Sequence, residues 1–293
     1  MLSRVDTNLS GVLKSVVRFG GVDPDLPIRQ YLYVRILGRS FNTALLYSLG
    51  SGKRLRHPLP REWRYVLIDQ GVRVDNFMCA VLWYAYSFMY WAYGTLEGLK
   101  SIYRLLKRKP FLGKYVFFHD LRHVNISSNP DCNNIINWYL KWNNGNVSFQ
   151  NICHTAKNTS DFKLRDVNVI QTDGLPQLKK IILLKYAVCF LCLSIKSFIG
   201  IFYRPVSGFF LGEMLKLKRV ELACGSDLAE DYLFNNSDMI YRPIWTYLAE
   251  SRGSRVFLYF YSTNVDYFYD TQVKGSEFKN IASVTSPRHL MSW

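Results

Sequence analysis

The chain has 293 residues, of which 49% are hydrophobic and 16% aromatic, and its formal net charge is +15. This apolar fraction excludes a disordered chain, and the length is sufficient for one large hydrophobic core or two smaller ones. The excess of basic residues predicts an anionic partner: a nucleic acid, a nucleotide-linked substrate or anionic lipid head groups. The six cysteines are mostly far apart and the first residues show no signal-peptide pattern, so free thiols in a reducing, cytoplasmic setting are expected.

The first long apolar stretch covers residues 76–96, NFMCAVLWYAYSFMYWAYGTL, and carries no charge. Its length is sufficient to cross a bilayer as a helix. Tyrosine and tryptophan occur throughout the stretch instead of at its two ends, and basic residues flank both sides. We therefore predict a helix that lies in the membrane interface or against protein and continues into LKSIYRLLKRK; a spanning helix is the alternative.

A strand, a loop and a helix are predicted over residues 114–142. Tyr115–Phe118 is the apolar strand, and a helix with one hydrophobic face follows between Ile135 and Trp142. Such a loop, directly after a parallel strand, is where a catalytic base or a phosphate-binding arginine would lie, and a solvated loop is the alternative. The candidate side chains in this loop are His119, Asp120, Arg122 and His123.

Residues 143–165 are rich in Asn, Ser and Thr, which is typical of a surface loop or linker. A short strand is expected at Asp166–Thr172, and a second long hydrophobic helix is expected over residues 177–205. Lys185 and Lys196 interrupt that helix and leave an uncharged run that is too short to cross a bilayer. An in-plane amphipathic helix, or a core helix with snorkelling lysines, is preferred.

The stretch Ser237–Asn264 predicts a βαβ unit. The expected elements are a strand at Met239–Tyr241, a helix near Ile244–Ser251 and a strand at Val256–Tyr261. The apolar run VFLYFY suits a strand that is buried on both faces of a parallel sheet. Three polar residues follow it at the sheet edge where open α/β folds bind ligands: Ser262, Thr263 and Asn264.

These elements predict the α/β class with a Rossmann-like parallel sheet and long apolar, membrane-associating helices. A helical, membrane-associated region is expected at 1–110 and the α/β domain at 111–293, with amphipathic helices inserted at 177–220. No metal site is expected, because the one CxxC pair, Cys189 and Cys192, lies in an apolar helix and has no second close pair at the spacing of a zinc site. A nucleic-acid partner is not expected either, since no compact basic-aromatic module occurs.

Three segments, HPLPREWRYVLIDQGVRVDNF, VFFHDLRHVNISSN and YRPIWTYLAESRGSRVFLYFYSTN, carry a resemblance to a known family. In them the sequence resembles bacterial surface-polysaccharide (O-antigen or capsule) biosynthesis proteins of the group named for a PFTS motif. The tetrapeptide PFTS is itself absent from the chain. The resemblance implies a GT-B, glycosyltransferase-like fold, of which these residues would be the N-terminal half, and the second GT-B domain is expected to be missing.

The resemblance further implies a reaction and a location. A sugar would pass from a nucleotide-sugar donor to a lipid-linked glycan acceptor at the cytoplasmic face of the bacterial inner membrane, where the protein would be peripheral or interfacial. No cofactor or metal is implied beyond the nucleotide-sugar as co-substrate. The alternative is a non-catalytic, membrane-associated protein of polysaccharide assembly.

Under this resemblance, His119 or Asp120 would be the base that deprotonates the acceptor hydroxyl. Structural roles are the alternatives for three of the implied binding residues: core packing for Trp245, a helix surface for Glu250 and a turn for Asn264. The full set of implied substrate-binding residues is Arg122, His123, Arg242, Trp245, Glu250, Ser262 and Asn264.

Overall fold

The computed structural model describes most of the chain between positions 28 and 292. The described residues are 28, 31, 32, 36, 39–107, 113–119, 121, 126–129, 134–142, 149–156, 161–164, 166–235, 242–259 and 291–292. The chain divides into two compact units. Unit 1 comprises residues 1–112, 175–228 and 241–252, and unit 2 comprises residues 113–174, 229–240 and 253–293. The domain bounds at 1–110 and 111–293 stay a prediction, because contacts alone do not show which segments fold independently.

Unit 2 is built on a seven-stranded, mostly parallel sheet with the strand order β3-β4-β2-β1-β5-β6-β7. In chain order, the strands are β1 (Tyr115–His119), β2 (Asn151–His154), β3 (Phe162–Leu164), β4 (Val167–Gln171), β5 (Asp231–Asn235), β6 (Arg255–Tyr259) and β7 (Met291–Ser292). The five inner strands are parallel, whereas β3 and β7 pair antiparallel at the two edges. The predicted α/β class with a parallel sheet is therefore confirmed.

Part of the segment that was predicted as a surface loop, residues 143–165, belongs to the sheet instead. All four residues of β2 are buried, because β1 and β4 flank this strand on both sides. A four-residue strand between Asn-rich segments is too short to show a hydrophobic period, so its neighbours in the sheet decide its structure. The strand expected at Met239–Tyr241 lies outside the described residues.

The helix α4 (Ile135–Trp142) covers one face of this sheet. Its buried side chains Ile136, Tyr139 and Leu140 pack against alternate residues of the strands, as the two-residue period of a strand requires. The buried strand residues in this hydrophobic cluster are Val116, Phe118, Ile152, Leu164, Val167, Val169 and Leu233.

A buried carboxylate connects α4 to two strands. Asp231, the first residue of β5, is fully buried and accepts hydrogen bonds from Nε and Nη2 of Arg255 at 2.7 and 2.9 Å. The hydroxyl of Tyr139 donates to the same carboxylate. Charge-assisted hydrogen bonds of this bidentate kind offset the cost of removing a carboxylate from water. Asp231 therefore fixes α4, β5 and β6 to one another.

Unit 1 is helical in its described residues. In chain order, its helices are α1 (Arg39–Ser51), α2 (Arg61–Asp69), α3 (Asn76–Lys107), α5 (Lys180–Tyr203), α6 (Val206–Leu222) and α7 (Ile244–Glu250), with a 3-10 turn at Gly225–Asp227. The two long apolar stretches are confirmed as the helices α3 and α5, and the helix near Ile244 is confirmed as α7. Helices α3, α5 and α6 pack against one another, and α7 packs on α6.

Helices α3 and α6 approach each other closely through small residues. Gly208 of α6 lies against the backbone of Ser87, whose hydroxyl donates to the carbonyl of Pro205. Gly94 of α3 meets Gly212 of α6 one turn further along. A Cβ atom on Gly208 would overlap the carbonyl oxygen of Ser87, so the two backbones can pack at this distance only because the side chain is absent.

Two arginines, one buried and one exposed, hold the C-terminal end of α6. The guanidinium of Arg219, which is 1% exposed, donates to the carbonyls of Leu175 and Pro176 at 3.1 and 2.8 Å. Arg252, which follows α7, donates to the carbonyls of Val220 and Ala223 at 2.8 and 2.9 Å. The last carbonyls of a helix have no partner within the helix and attract cations, so Arg252 both caps α6 and anchors α7.

We expect Gly208→Ala to lower the free energy of unfolding by about 1–3 kcal/mol, because the added methyl group must displace the Ser87 backbone. Gly212→Ala is the matched control. The nearest atom to a Cβ at Gly212 is 4.0 Å away, and alanine is favoured over glycine inside a helix by about 1 kcal/mol. Denaturant unfolding of both variants measures the difference, and equal stability of the two would contradict the close packing.

Candidate active site

The carboxyl ends of the parallel strands in unit 2 form the edge at which open α/β sheets bind ligands. β1 ends in His119, and the neighbouring β2 ends in His154. His154 is paired with Phe118 and therefore lies on the face that α4 covers, whereas His119 lies on the opposite face. Two imidazoles thus mark the ends of two neighbouring strands, one on each face of the sheet.

His119 is half-buried at the end of β1. Its ring is tilted against Phe234 of β5, with the ring centroids 5.3 Å apart, and it meets Phe117 edge-on at 6.1 Å. These two aromatic rings orient the imidazole while its partial exposure leaves it able to meet a bound molecule. The other members of the predicted cluster lie outside the described residues: Asp120, Arg122 and His123.

His154 is fully buried, and neither of its ring nitrogens has a hydrogen-bond partner in the described part of the chain. Burial lowers the pKa of His154, and the negative charge of Asp161 partly opposes this shift. The imidazole is therefore mostly neutral at pH 7. A buried polar group without a partner costs about 1–3 kcal/mol, so His154 is the least satisfied side chain at this edge.

The segment after β4 closes this edge of the sheet. The amide of Thr172 donates to the carbonyl of His154 at 2.8 Å, and the hydroxyl of Thr172 accepts a hydrogen bond from the amide of Gly174 at 3.0 Å. Gly174 has a φ of +71°, and a Cβ atom there would overlap the ring of Phe117. Only glycine therefore fits where the chain passes over this ring.

Three predicted substrate-binding residues belong to unit 1, around α7. Arg242 is buried and donates to Glu250 at 2.6 Å and to the hydroxyl of Thr246 at 3.0 Å, while its guanidinium carbon lies 4.0 Å from the centre of the Tyr247 ring. The structure thus brings Arg242 and Glu250 together as an ion pair that braces α7. The indole of Trp245 is 4% exposed. Trp245 therefore packs in the core, which was the alternative to binding a substrate.

Ser262 and Asn264 lie outside the described residues, so their predicted roles are untested. Among the residues that the structure describes, no three His, Cys, Asp or Glu side chains are grouped as metal ligands would be. His154 was not predicted as a site residue. No hydrophobic period marks the short strand that buries it.

Residues 191–293 match the family described as polysaccharide biosynthesis PFTS motif protein. The predicted resemblance to the PFTS-motif group is confirmed. The match begins within α5 and includes α6, β5, α7 and β6; of the three segments that carried the resemblance, YRPIWTYLAESRGSRVFLYFYSTN lies inside it. No curated protein and no solved structure matches the chain. Polysaccharide biosynthesis is therefore the process that this match supports.

The buried imidazole predicts a pH-dependent stability. Because the pKa of His154 is lowered in the folded protein, the unfolded chain binds a proton more readily as the pH falls below about 6.5. The contribution of His154 is thus largest at neutral pH and is lost on acidification, with a slope of at most about 1.4 kcal/mol per pH unit.

We expect His154→Phe to flatten this slope between pH 6.5 and pH 5 relative to the unsubstituted protein, as measured by denaturant unfolding at each pH. Other acid-sensitive groups, such as the buried His57, whose pKa is also lowered by burial, contribute equally to both proteins and cancel in the difference. Parallel pH profiles for the two proteins would show that His154 is not buried in its neutral form.

Proposed function

We propose that this protein is a GT-B, glycosyltransferase-like enzyme that transfers a sugar from a nucleotide-sugar to a lipid-linked glycan acceptor. The observation that carries the proposal is the pair of imidazoles, His119 and His154, at the carboxyl edge of a parallel sheet in a chain that matches a polysaccharide biosynthesis family. An open parallel sheet binds ligands at that edge. The net charge of +15 favours an anionic donor such as a nucleoside diphosphate sugar.

His119, with Asp120 beside it in sequence, is the proposed base. The acceptor hydroxyl oxygen attacks the anomeric carbon of the donor, and its proton passes to the base. The bond between that carbon and the diphosphate oxygen breaks, and the nucleoside diphosphate leaves. His119 suits this role better than His154, because its ring is partly exposed whereas that of His154 is enclosed.

The leaving diphosphate carries negative charge that basic side chains can stabilise. Arg122 and His123 follow the proposed base within four residues and are the proposed diphosphate contacts. Ser262 and Asn264 follow β6 and are the proposed sugar contacts. Arg242, Trp245 and Glu250 are engaged inside unit 1, so the proposal gives them a supporting role around α7. It requires no metal and no cofactor other than the nucleotide-sugar.

His119→Ala should lower the turnover of sugar transfer by about two to four orders of magnitude, which is the usual effect of removing a general base. Transfer of a radiolabelled sugar to membranes that lack the native enzyme measures this. Lys163→Ala, which changes an exposed residue of β3, is the matched control and should keep full turnover. Near-normal turnover of His119→Ala, in a variant with an unchanged unfolding midpoint, would move the base elsewhere.

A non-catalytic protein of polysaccharide assembly is the second candidate, and one observation favours it. Unit 1 exposes many large apolar side chains along α3 and α5, among them Phe77 at 75% and Ile181 at 88%. In the described part of the chain, α5 is the one helix that is long and apolar enough to cross a membrane. Both functions use a membrane surface, and we propose that the protein binds the cytoplasmic face of the inner membrane peripherally or in its interface.

The protein is expected in the membrane fraction after cell lysis, and high salt or mild detergent should release part of it. Salt screens the attraction between a basic protein and anionic lipids, whereas detergent replaces lipid on apolar helices. Complete recovery in the soluble fraction at low salt would contradict membrane binding. An assembly protein would fractionate in the same way and show no transfer in the radiolabel assay, which separates the two functions.

A further inference from the structure

The outer face of α5 carries a continuous apolar stripe. Its residues alternate at spacings of three and four along the whole helix, and each side chain is between 38% and 88% exposed. Such spacing places them on one face of a helix. The opposite face packs inside unit 1 through Leu183, Tyr186 and Phe190. The residues of this stripe are Ile181, Leu184, Val188, Leu191, Ile195, Phe198 and Phe202.

A row of basic side chains borders the stripe on one side. Lys185 and Lys196 are both exposed and are separated by three helical turns, so they share one angular position about 16 Å apart along the axis. They lie roughly 110° around the helix from the centre of the stripe. Cys192, also exposed, lies within about 40° of both lysines. Lys185 and Lys196 therefore follow one side of α5 in its interior, whereas Lys180, the third charged residue of this helix, lies at its N-terminal end.

This arrangement decides between two orientations at a membrane. A helix that crossed the bilayer would bring both ammonium groups into or near the hydrocarbon, where isolated charges are strongly disfavoured. A helix that lies in the plane of the surface would place the stripe in the hydrocarbon boundary and both lysines among the phosphate head groups. The second orientation satisfies the apolar and the basic side chains at once.

We propose that α5 lies in the plane of an anionic membrane, with the apolar stripe in the hydrocarbon boundary and with Lys185 and Lys196 at the lipid phosphates. The occupant of this face is therefore lipid and not a second protein. The positive charge of the row matches phosphates, and the net charge of +15 has the same sign. The proposal rests on the membrane binding in the proposed function and is independent of sugar transfer.

The closing experiment compares two adjacent positions on α5. Two full-length proteins are compared, each with a single cysteine. The first keeps only the native Cys192. The second carries Leu191→Cys together with Cys192→Ser. The two sites have nearly equal positions along the axis and differ by about 100° around it. Each protein is bound to vesicles of phosphatidylglycerol and phosphatidylcholine and treated with a membrane-impermeant maleimide. We expect position 192 to react at least about tenfold faster than position 191.

The other labelling patterns overturn the proposal. Protection of both positions on vesicles would mean that α5 crosses the bilayer, since both lie near its midpoint. Equal reaction of both positions, on vesicles and in solution, would mean that lipid does not cover the stripe. Protection of position 191 without vesicles would mean that a second copy or another protein covers it.

A charge test reports on the lysine row. Lys185→Gln with Lys196→Gln should weaken binding to phosphatidylglycerol vesicles by about 30-fold, the product of two lysine contacts near an anionic surface. The control pair, Lys141→Gln with Lys163→Gln, makes the same change of net charge on exposed residues of α4 and β3. An equal effect of the two pairs would mean that net charge alone, and not the row on α5, attracts the protein to lipid.

Failure of this proposal and failure of the proposed function can be told apart. A protein in which position 191 is protected and position 192 reacts, but which transfers no sugar, has the proposed orientation without the proposed reaction. A protein that transfers sugar and is protected at both positions has the reaction with a spanning α5. Labelling and transfer are therefore measured on the same preparations.

Discussion

The sheet of unit 2 depends on a carboxylate that is held away from water. Asp231 opens β5 where the chain returns to the sheet after residues 175–228, and its oxygens bind Arg255 and Tyr139. If Arg255 or Tyr139 were absent, the buried carboxylate of Asp231 would lose one of the hydrogen-bond donors that offset its removal from water. The three side chains therefore act together. At the other end of these strands, the parallel pairing of β5 with β1 places Phe234 beside His119.

Unit 1 is stabilised differently, since its long helices bury only part of their apolar surface. Where α3 and α6 meet, glycine and serine allow backbone contact, and beside this contact Trp83 and Tyr90 of α3 pack on Phe209 of α6. Arg219 and Arg252 then hold the end of α6 by hydrogen bonds to carbonyl groups. Many other large apolar side chains of α3 and α5 remain exposed.

The sequence allowed the strongly patterned elements to be predicted. The uncharged run from Asn76, the apolar helix containing Lys185 and the strand ending at His119 all show patterns that dictate their structure locally. The buried strand β2 shows none, because its four residues become a strand only between β1 and β4. The same limit applies to the site: His119 is the last residue of a recognisable strand, whereas the burial of His154 depends on neighbours that are distant in sequence.

The contact between α3 and α6 has a consequence for how the protein is made. Ser87 and its partner Pro205 are 118 residues apart, so at usual rates of synthesis about 6 to 24 s pass between them at the ribosome. For that time α3 exists as an aromatic helix whose packing face is bare. The packing of α3 is therefore completed only after α6 has been made.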